Sequence, residues 1–372
     1  MERENLFMDV QMKATNSIVF PRSGLVAKNR TLLAAMTNKQ SFEDGVLSDE
    51  EITWLVRRGK GGFGITTTAA SHVTKTGKGW SGEMGVWGDH HIEGLTKMAD
   101  QLRNTGTLSL VQLFHGGMRA PVSLNGVQPI SASIYTEPNM DGVYTRGMTH
   151  TEIEEMIQSF TQAALRCQQA GFDGVEIHGA HSYLISQFLG TKTNRREDIW
   201  GGDITGRSRF LTEIVASVRA AVGAQFLISV RMSPVIESIG ITLEDSLELA
   251  KILSKTEMDM LHVSCWDVFQ HLDDGNDESL TKRFRQVVPN EIPIVSTGGV
   301  WSAHDSQWLM AEGADIVGVA RVAIGHPDWP KGLQDEEYNP SGPPFSVEHL
   351  QHAALSPRFI EYMKRWKNFV IS

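Results

Sequence analysis

The chain contains almost no cysteine: two residues in 372, Cys167 and Cys265. Two thiols cannot supply a four-thiolate zinc or iron–sulfur centre. Cys167 falls in a helix-like stretch and Cys265 in an apolar run, so both are expected to be buried and reduced, which fits a cytoplasmic setting. Long hydrophobic runs are missing too. No stretch approaches about 18 apolar residues, so no membrane span is expected. The N-terminal MERENLFMDVQMKATNS lacks the apolar core of a secretion signal. There is no basic excess: 34 Lys and Arg against 44 Asp and Glu give a formal net charge of -10. That disfavours nucleic acid or an anionic membrane as partner, while leaving room for a local pocket that takes one phosphate. No GxGxxG follows a strand, so a Rossmann dinucleotide unit is not expected.

What the sequence does have is alternation. Short runs rich in β-branched residues recur at 31–36, 63–70, 108–115, 174–180, 225–233, 259–266, 293–298 and 315–321. Helix-like segments separate them. Near-continuous apolar strands alternating with helices imply a parallel sheet buried on both faces. Eight such units predict closure into a single (β/α)8 barrel of α/β class. Ser48 with Glu51, Thr149 with Glu152 and Thr242 with Asp245 have the spacing of helix N-caps, and Gly59 and Gly171 fall where helices should end. Two stretches exceed the plain barrel. Residues 116–149 form a long excursion after the third strand, read as a lid. After a Pro/Gly-rich linker over 331–345, residues 346–372 read as a helical extension packed on the barrel, which itself occupies 1–345.

Barrel chemistry gathers at the C-terminal ends of the strands. After the seventh strand come Gly298 and Gly299, and after the eighth Ala320 and Arg321. Glycines let backbone N–H groups approach a phosphate, and an arginine adds a charge-assisted pair; a simple tight turn would also use Gly298-Gly299. Gln112 and Arg231 sit inside strands that otherwise read as core, where polar groups need partners. A flavin ring would satisfy both, and so would an internal salt bridge. His178 and His181 have HxxH spacing. Two imidazole N–H donors side by side can grip one carbonyl or nitro oxygen. A structural pair, or a metal site in a barrel hydrolase, uses the same spacing. Tyr183 follows, with a phenol able to deliver a proton.

The segment GFDGVEIHGAHSYLISQFLGTKTNRREDIWGGDITGRSRF, residues 171–210, carries HxAHxYLxxQFL followed by NxRxDxxGG and RxRF. With KNRTLLAAMT (28–37), GVWGDHHIEG (85–94), VQLFHGG (111–117), STGG (296–299) and GVAR (318–321), it resembles the old yellow enzyme family of FMN-dependent ene-reductases from about residue 17 to 330. The resemblance implies that Thr37 bonds the flavin C4=O, that Met36 and Ala70 offer backbone contacts, and that Gln112 and Arg231 hold the pyrimidine side. Gly298, Gly299, Ala320 and Arg321 would cradle the FMN phosphate. His178 and His181 would bind the activating oxygen of an electrophilic alkene, with Tyr183 as proton donor and Trp266 on the substrate wall. NAD(P)H would reduce FMN, which then passes hydride to the β-carbon of an unsaturated carbonyl or nitro compound. A flavin or quinone reductase, or a reductase of a specialised metabolite, is the alternative on the same scaffold. Asn194, Arg195, Asp198, Arg207 and Arg209 would order the loop and helix after the fourth strand. The chain departs from the pattern where relatives read HxGR: here Arg119 is shifted by one residue. Lys39 replaces a tyrosine that some relatives place two residues after the Thr37 position. KRWKNFVIS offers no clear arginine–aromatic finger for a neighbour's site, which leaves assembly as a homo-oligomer open.

Overall fold

A computed structural model describes residues 12–136, 144–272 and 274–371. Residues 1–11, within the stretch read for a secretion signal, lie outside the described residues, as do 137–143 of the 116–149 excursion and Ser372 of the extension. Eight parallel strands form the frame: β1 (Thr31–Leu33), β2 (Ile65–His72), β3 (Leu108–Phe114), β4 (Gly174–Gly179), β5 (Leu227–Met232), β6 (Met260–Ser264), β7 (Ile294–Thr297) and β8 (Ile316–Val319). Each pairs with the next, and β8 pairs back onto β1 through Val317–Thr31 to Val319–Leu33, so the sheet closes. All eight expected strands are present, but several are shorter than expected. β1 stops at Leu33 rather than residue 36, and Arg321 begins a short helix, Arg321–Gly325, rather than ending β8.

The helices follow from their caps and apolar faces. The principal ones are α1 (Asp49–Gly61), α2 (Ile92–Arg103), α3 (His150–Gln169), α4 (Ile204–Val222), α5 (Leu243–Leu253), α6 (Leu280–Arg285) and α7 (Ala303–Ala311). Thr149 and Glu152 form the full reciprocal capping box expected of them. Ser48 caps α1 through the Glu51 N–H, but the Glu51 carboxylate is turned away to accept hydrogen bonds from Asn38 and Ser41. Glu51 thus ties down the loop after β1 instead of completing a box. α1 runs past the expected stop at Gly59 and ends at Gly62, in the left-handed region at φ 108°.

Two hydrophobic layers hold the barrel. The larger lies between strands and helices. The smaller fills the barrel's lower interior with Leu32, Ile65, Leu110, Leu227, Met260, Val295 and Ile316, and is closed from below by Ile18, Phe20 and Ala27. Those last residues belong to an N-terminal hairpin, Ile18–Val19 against Val26–Ala27, which the sequence reading missed. Phe20 is fully buried there, a burial that contributes about 2 kcal/mol.

The excursion after β3 contains a short helix, Val122–Asn125, and a pair of two-residue strands, Ile130–Ser131 and Arg146–Gly147. The C-terminal segment carries α8 (Val347–His352) and α9 (Pro357–Met363). Arg58 of α1, fully buried, donates to the carbonyls of Ala353, Ala323 and Ile324, so one guanidinium fastens this segment to the short helix after β8. No described helix is long and apolar enough to cross a membrane.

Candidate active site

The upper interior of the barrel is polar. Register sets this: Gln112 on β3 lies beside Glu176 on β4, and Arg231 on β5 lies between His178 on β4 and His262 on β6. Gln112 donates from Nε2 to Glu176 Oε1 at 2.8 Å, which leaves its own carbonyl oxygen for an incoming donor. Glu176 Oε2 meets His262 Nδ1 at 2.7 Å and accepts from Ser229 at 3.2 Å. His262 Nε2 meets the Thr297 hydroxyl at 2.7 Å. Burial opposes a charge on Glu176, but His262, Arg231 and the Gln112 amide overcome it and bring the carboxyl down to about 2. Glu176 and His262 are polar residues inside apolar strands, the same signal that picked out Gln112 and Arg231, yet the sequence reading passed over them.

Arg231 is buried, donating to the Ala35 carbonyl at 3.3 Å and to Ser264 Oγ at 3.1 Å, while its Nε has no partner. Ser264 Oγ also lies 3.0 Å from His181 Nε2. A guanidinium only donates, so Ser264 accepts from it, and its hydrogen and second lone pair let it pair with either tautomer of His181. Burial, then Arg231 and His262, lower the His181 pKa to about 3. Burial, with His181 next, pulls His178 well below its ordinary value, and its buried Nδ1 has no partner. Both rings are neutral at pH 7, 5.0 Å apart between centroids and near perpendicular. His181 and Ser182 both have left-handed φ, 61° and 63°. Such strain is found where function holds a side chain in place.

Tyr183 packs edge-on to Phe114 at 4.5 Å and lies 5.3 Å from His178. Burial raises its pKa. Arg119 covers its ring at 5.2 Å and donates to the His181 carbonyl at 3.1 Å. The one-residue shift of that arginine therefore still delivers it to the site.

On the other side, Gly298 (φ 146°) and Gly299 (φ 76°) follow β7. A Cβ at Gly298 would come within 2.5 Å of the Cys265 carbonyl, and one at Gly299 within 2.8 Å of Asp267, so both positions need glycine. Thr297 pairs with Gly318, which brings Ala320 and Arg321 alongside. Arg321 is exposed and makes no ion pair among the described residues. The ladder between β2 and β3 is irregular between Thr67 and Ala70, a bulge that re-aims the backbone at Ala70. Met36 and Thr37 lie half-buried in the loop after β1. Trp266 is 82% exposed, unlike the buried aromatic group around Tyr183. No three His, Cys, Asp or Glu converge as a metal site among the described residues.

Residues of the second motif act as braces. Asn194 donates to the Phe188 and Trp200 carbonyls, Arg207 pairs with Asp245 at 2.9 Å, and Arg209 donates to the Ile199 carbonyl. Arg196 pairs with Asp198 and reaches back to the Ala132 and Met148 carbonyls, and Arg195 bonds the exposed loop at Ile134.

His72, His91 and His115 are each pulled down to about 3, with burial as the first cause. Unfolding lets them take up protons that the folded chain refuses. Stability is therefore expected to be full above the ordinary histidine pKa of 6.5 and to fall as pH drops from there toward 3. Glu176, held low, adds a loss of the same sign below 4.5; Glu51 and Glu83, raised by burial, oppose it. Urea midpoints at about pH 7.5 and about pH 5 check this: a higher midpoint at the lower pH would show that the carboxylates dominate.

A sequence model of the NADH:flavin oxidoreductase / NADH oxidase family matches residues 24–339. The chain is 34% identical over 315 residues to the probable NADH-dependent flavin oxidoreductase YqiG of Bacillus subtilis, covering 83% of this chain and 84% of that one. It is 34% identical over 333 residues to NADH:acrylate oxidoreductase of Vibrio harveyi, covering 86% of this chain but only 33% of that longer protein. The solved old yellow enzyme homologue from Zymomonas mobilis superposes with a TM-score of 0.80 at 27% identity, over 91% of this chain and 96% of that one. With the fold closed and the family's matching span enclosing every strand of the barrel, the chain belongs to the old-yellow-enzyme-like family of FMN-dependent NAD(P)H oxidoreductases.

Proposed function

We propose that the protein reduces the carbon–carbon double bond of an unsaturated carbonyl or nitro compound. The observation that carries this reading is the neutral pair His178 and His181 facing the same space as the protonated Tyr183.

The barrel mouth fits FMN on its own chemistry. The orphaned Arg231 Nε, the free Gln112 carbonyl and the glycine cradle are what a flavin ring and a phosphate would use. Gln112 and Arg231 would hold the pyrimidine side, Arg231 favouring negative charge there. Thr37 would donate to C4=O, Met36 and Ala70 would line the ring, and Gly298, Gly299, Ala320 and Arg321 would take the phosphate. When bound, FMN accepts two electrons from NAD(P)H and supplies them as hydride.

The protein's residues do the rest. His178 and His181 donate to the substrate's activating oxygen, drawing electron density from the double bond and making the β-carbon electrophilic. Ser264 Oγ, 3.0 Å from His181 Nε2, holds that ring in place before substrate arrives. Tyr183 gives its phenolic proton to the α-carbon, and Arg119 over its ring eases the resulting phenolate. Trp266 offers an exposed ring at the rim. The names of relatives, NADH-dependent flavin oxidoreductase and NADH:acrylate oxidoreductase, are in keeping with this chemistry.

An absorption spectrum tests the reading. The purified protein is expected to show flavin bands that bleach with NADH or NADPH without oxygen and recover on adding cyclohexenone. Bleaching without recovery by any activated alkene would favour a flavin or quinone reductase. A colourless protein that takes up no FMN would defeat both.

A further inference from the structure

At the barrel mouth, two phenols carry cations on their faces. Arg119 covers Tyr183 at 5.2 Å. Tyr362, on α9, has Lys39 at 5.3 Å on its ring and Arg365 at 5.7 Å. Tyr362 comes from the far end of the chain. Ser356 donates to Gln40 at 2.5 Å and Arg358 to the Ser41 carbonyl at 3.2 Å, which dock α9 on the loop that holds Thr37 and Lys39. Those bonds and the Lys39 contact set Tyr362 beside the loop that holds Thr37, so the tail reaches the mouth of the site.

Among the described residues none of Lys39, Arg119 and Arg365 is in a salt bridge. The nearby carboxylates are engaged: Glu43 with Lys78 at 2.9 Å, and Glu361 with Lys364 at 2.8 Å. Burial and the neighbouring Arg365 disfavour the charge on Lys39, and the pull of Glu43 only partly offsets them. Lys39 also sits in the left-handed region at φ 57°, although it is not a glycine. Holding like charges together at a strained position costs energy that an anionic ligand would offset. The chain as a whole repels anions, with a formal net charge of -10, so this local reversal of sign is selective.

We propose that Lys39 and Arg365, arranged around Tyr362, form an anion-recognition site that selects activated alkenes bearing a carboxylate. The proposal rests on the ene-reduction reading and names its substrate class. The cations surround the phenols at the reacting end, whereas the phosphates of a dinucleotide are separated from its nicotinamide by a ribose. A carboxylate close to the double bond is therefore the anion that fits.

A matched pair of oxidants provides the test: 3-benzoylacrylate and its methyl ester. In the Lys39→Gln/Arg365→Gln holoenzyme the acid-to-ester ratio of kcat/KM is expected to fall about tenfold, as for loss of charge-assisted hydrogen bonds. Calorimetric affinity for the saturated acid, 3-benzoylpropionate, should fall by a similar factor and weaken with salt in the wild type. Lys39→Arg should retain the ratio, which separates charge from packing. An unchanged ratio with unchanged affinity overturns the proposal. So does a variant whose KM rises for NADPH but not NADH at a fixed acid-to-ester ratio, since the anion would then be the dinucleotide phosphate. If neither acid nor ester is reduced, ene-reduction itself fails, and the calorimetry, which needs no turnover, still decides the anion site. Should the double variant not fold, the single Arg365→Gln change at an exposed side chain carries the same measurements.

Discussion

Tyr183→Phe is expected to slow reoxidation of the reduced enzyme by cyclohexenone about 10²–10³-fold, the usual contribution of a positioned general acid. Bleaching by NAD(P)H should stay within about twofold of wild type, because that half-reaction takes no proton from a phenol. The substitution is clean in structural terms. The Tyr183 ring is held edge-on by Phe114 and covered by Arg119, contacts that a phenylalanine ring keeps. Only the hydroxyl is lost. Burial keeps that hydroxyl protonated beyond its ordinary range, so the wild-type oxidative rate should show no loss attributable to Tyr183 up to its ordinary pKa of 10. Stopped-flow absorbance resolves the two half-reactions separately. Equal losses in both would remove Tyr183 from the proton-donor role and point to a packing effect instead.

Glu176→Leu is expected to cost about 3–5 kcal/mol of stability, the penalty for breaking a buried charge pair from one side. Glu176 is fully buried inside the barrel, where it accepts from Gln112, Ser229 and His262 and favours the charge on Arg231. Leucine removes all four interactions. It leaves Arg231 as an uncompensated cation, and Gln112 and His262 without an acceptor. Glu176→Gln keeps an acceptor for Gln112 while removing the charge, so its loss should be smaller. Urea unfolding of both variants tests the argument. A leucine variant within about 1 kcal/mol of wild type would mean that the barrel interior admits water or relaxes around Arg231. Weakened FMN retention should accompany the loss, since the amide of Gln112 would no longer be fixed.

The architecture was legible in the sequence because its causes are local. β-branched runs buried on both faces alternate with amphipathic, capped helices, and eight repeats of that unit close in essentially one way. The strand ends were less legible. Residues 34–36 look as apolar as the strand before them, and only the pairing of β1 with β2 and β8 shows where the ladder stops. The N-terminal hairpin was invisible because a two-residue strand has no period to detect; its function as a plug depends on the barrel above it.

The site divides along the same line. HxAHxY spacing placed His178, His181 and Tyr183 together, since residues so close in sequence at one strand end can hardly separate. Gln112 and Arg231 showed themselves as polar residues in apolar strands. What required the tertiary structure was every relation between distant strands. Ser264 holds the His181 ring from two strands away, and Glu176, itself bonded to His262, balances the charge that Arg231 brings inside. Tyr362 and Arg365 reach Lys39 across more than 300 residues of chain. Sequence determined which groups this protein has and on which elements they ride. Barrel closure decided which of them meet, because hydrogen bonds and charges act over a few ångströms of space, whatever their separation along the chain.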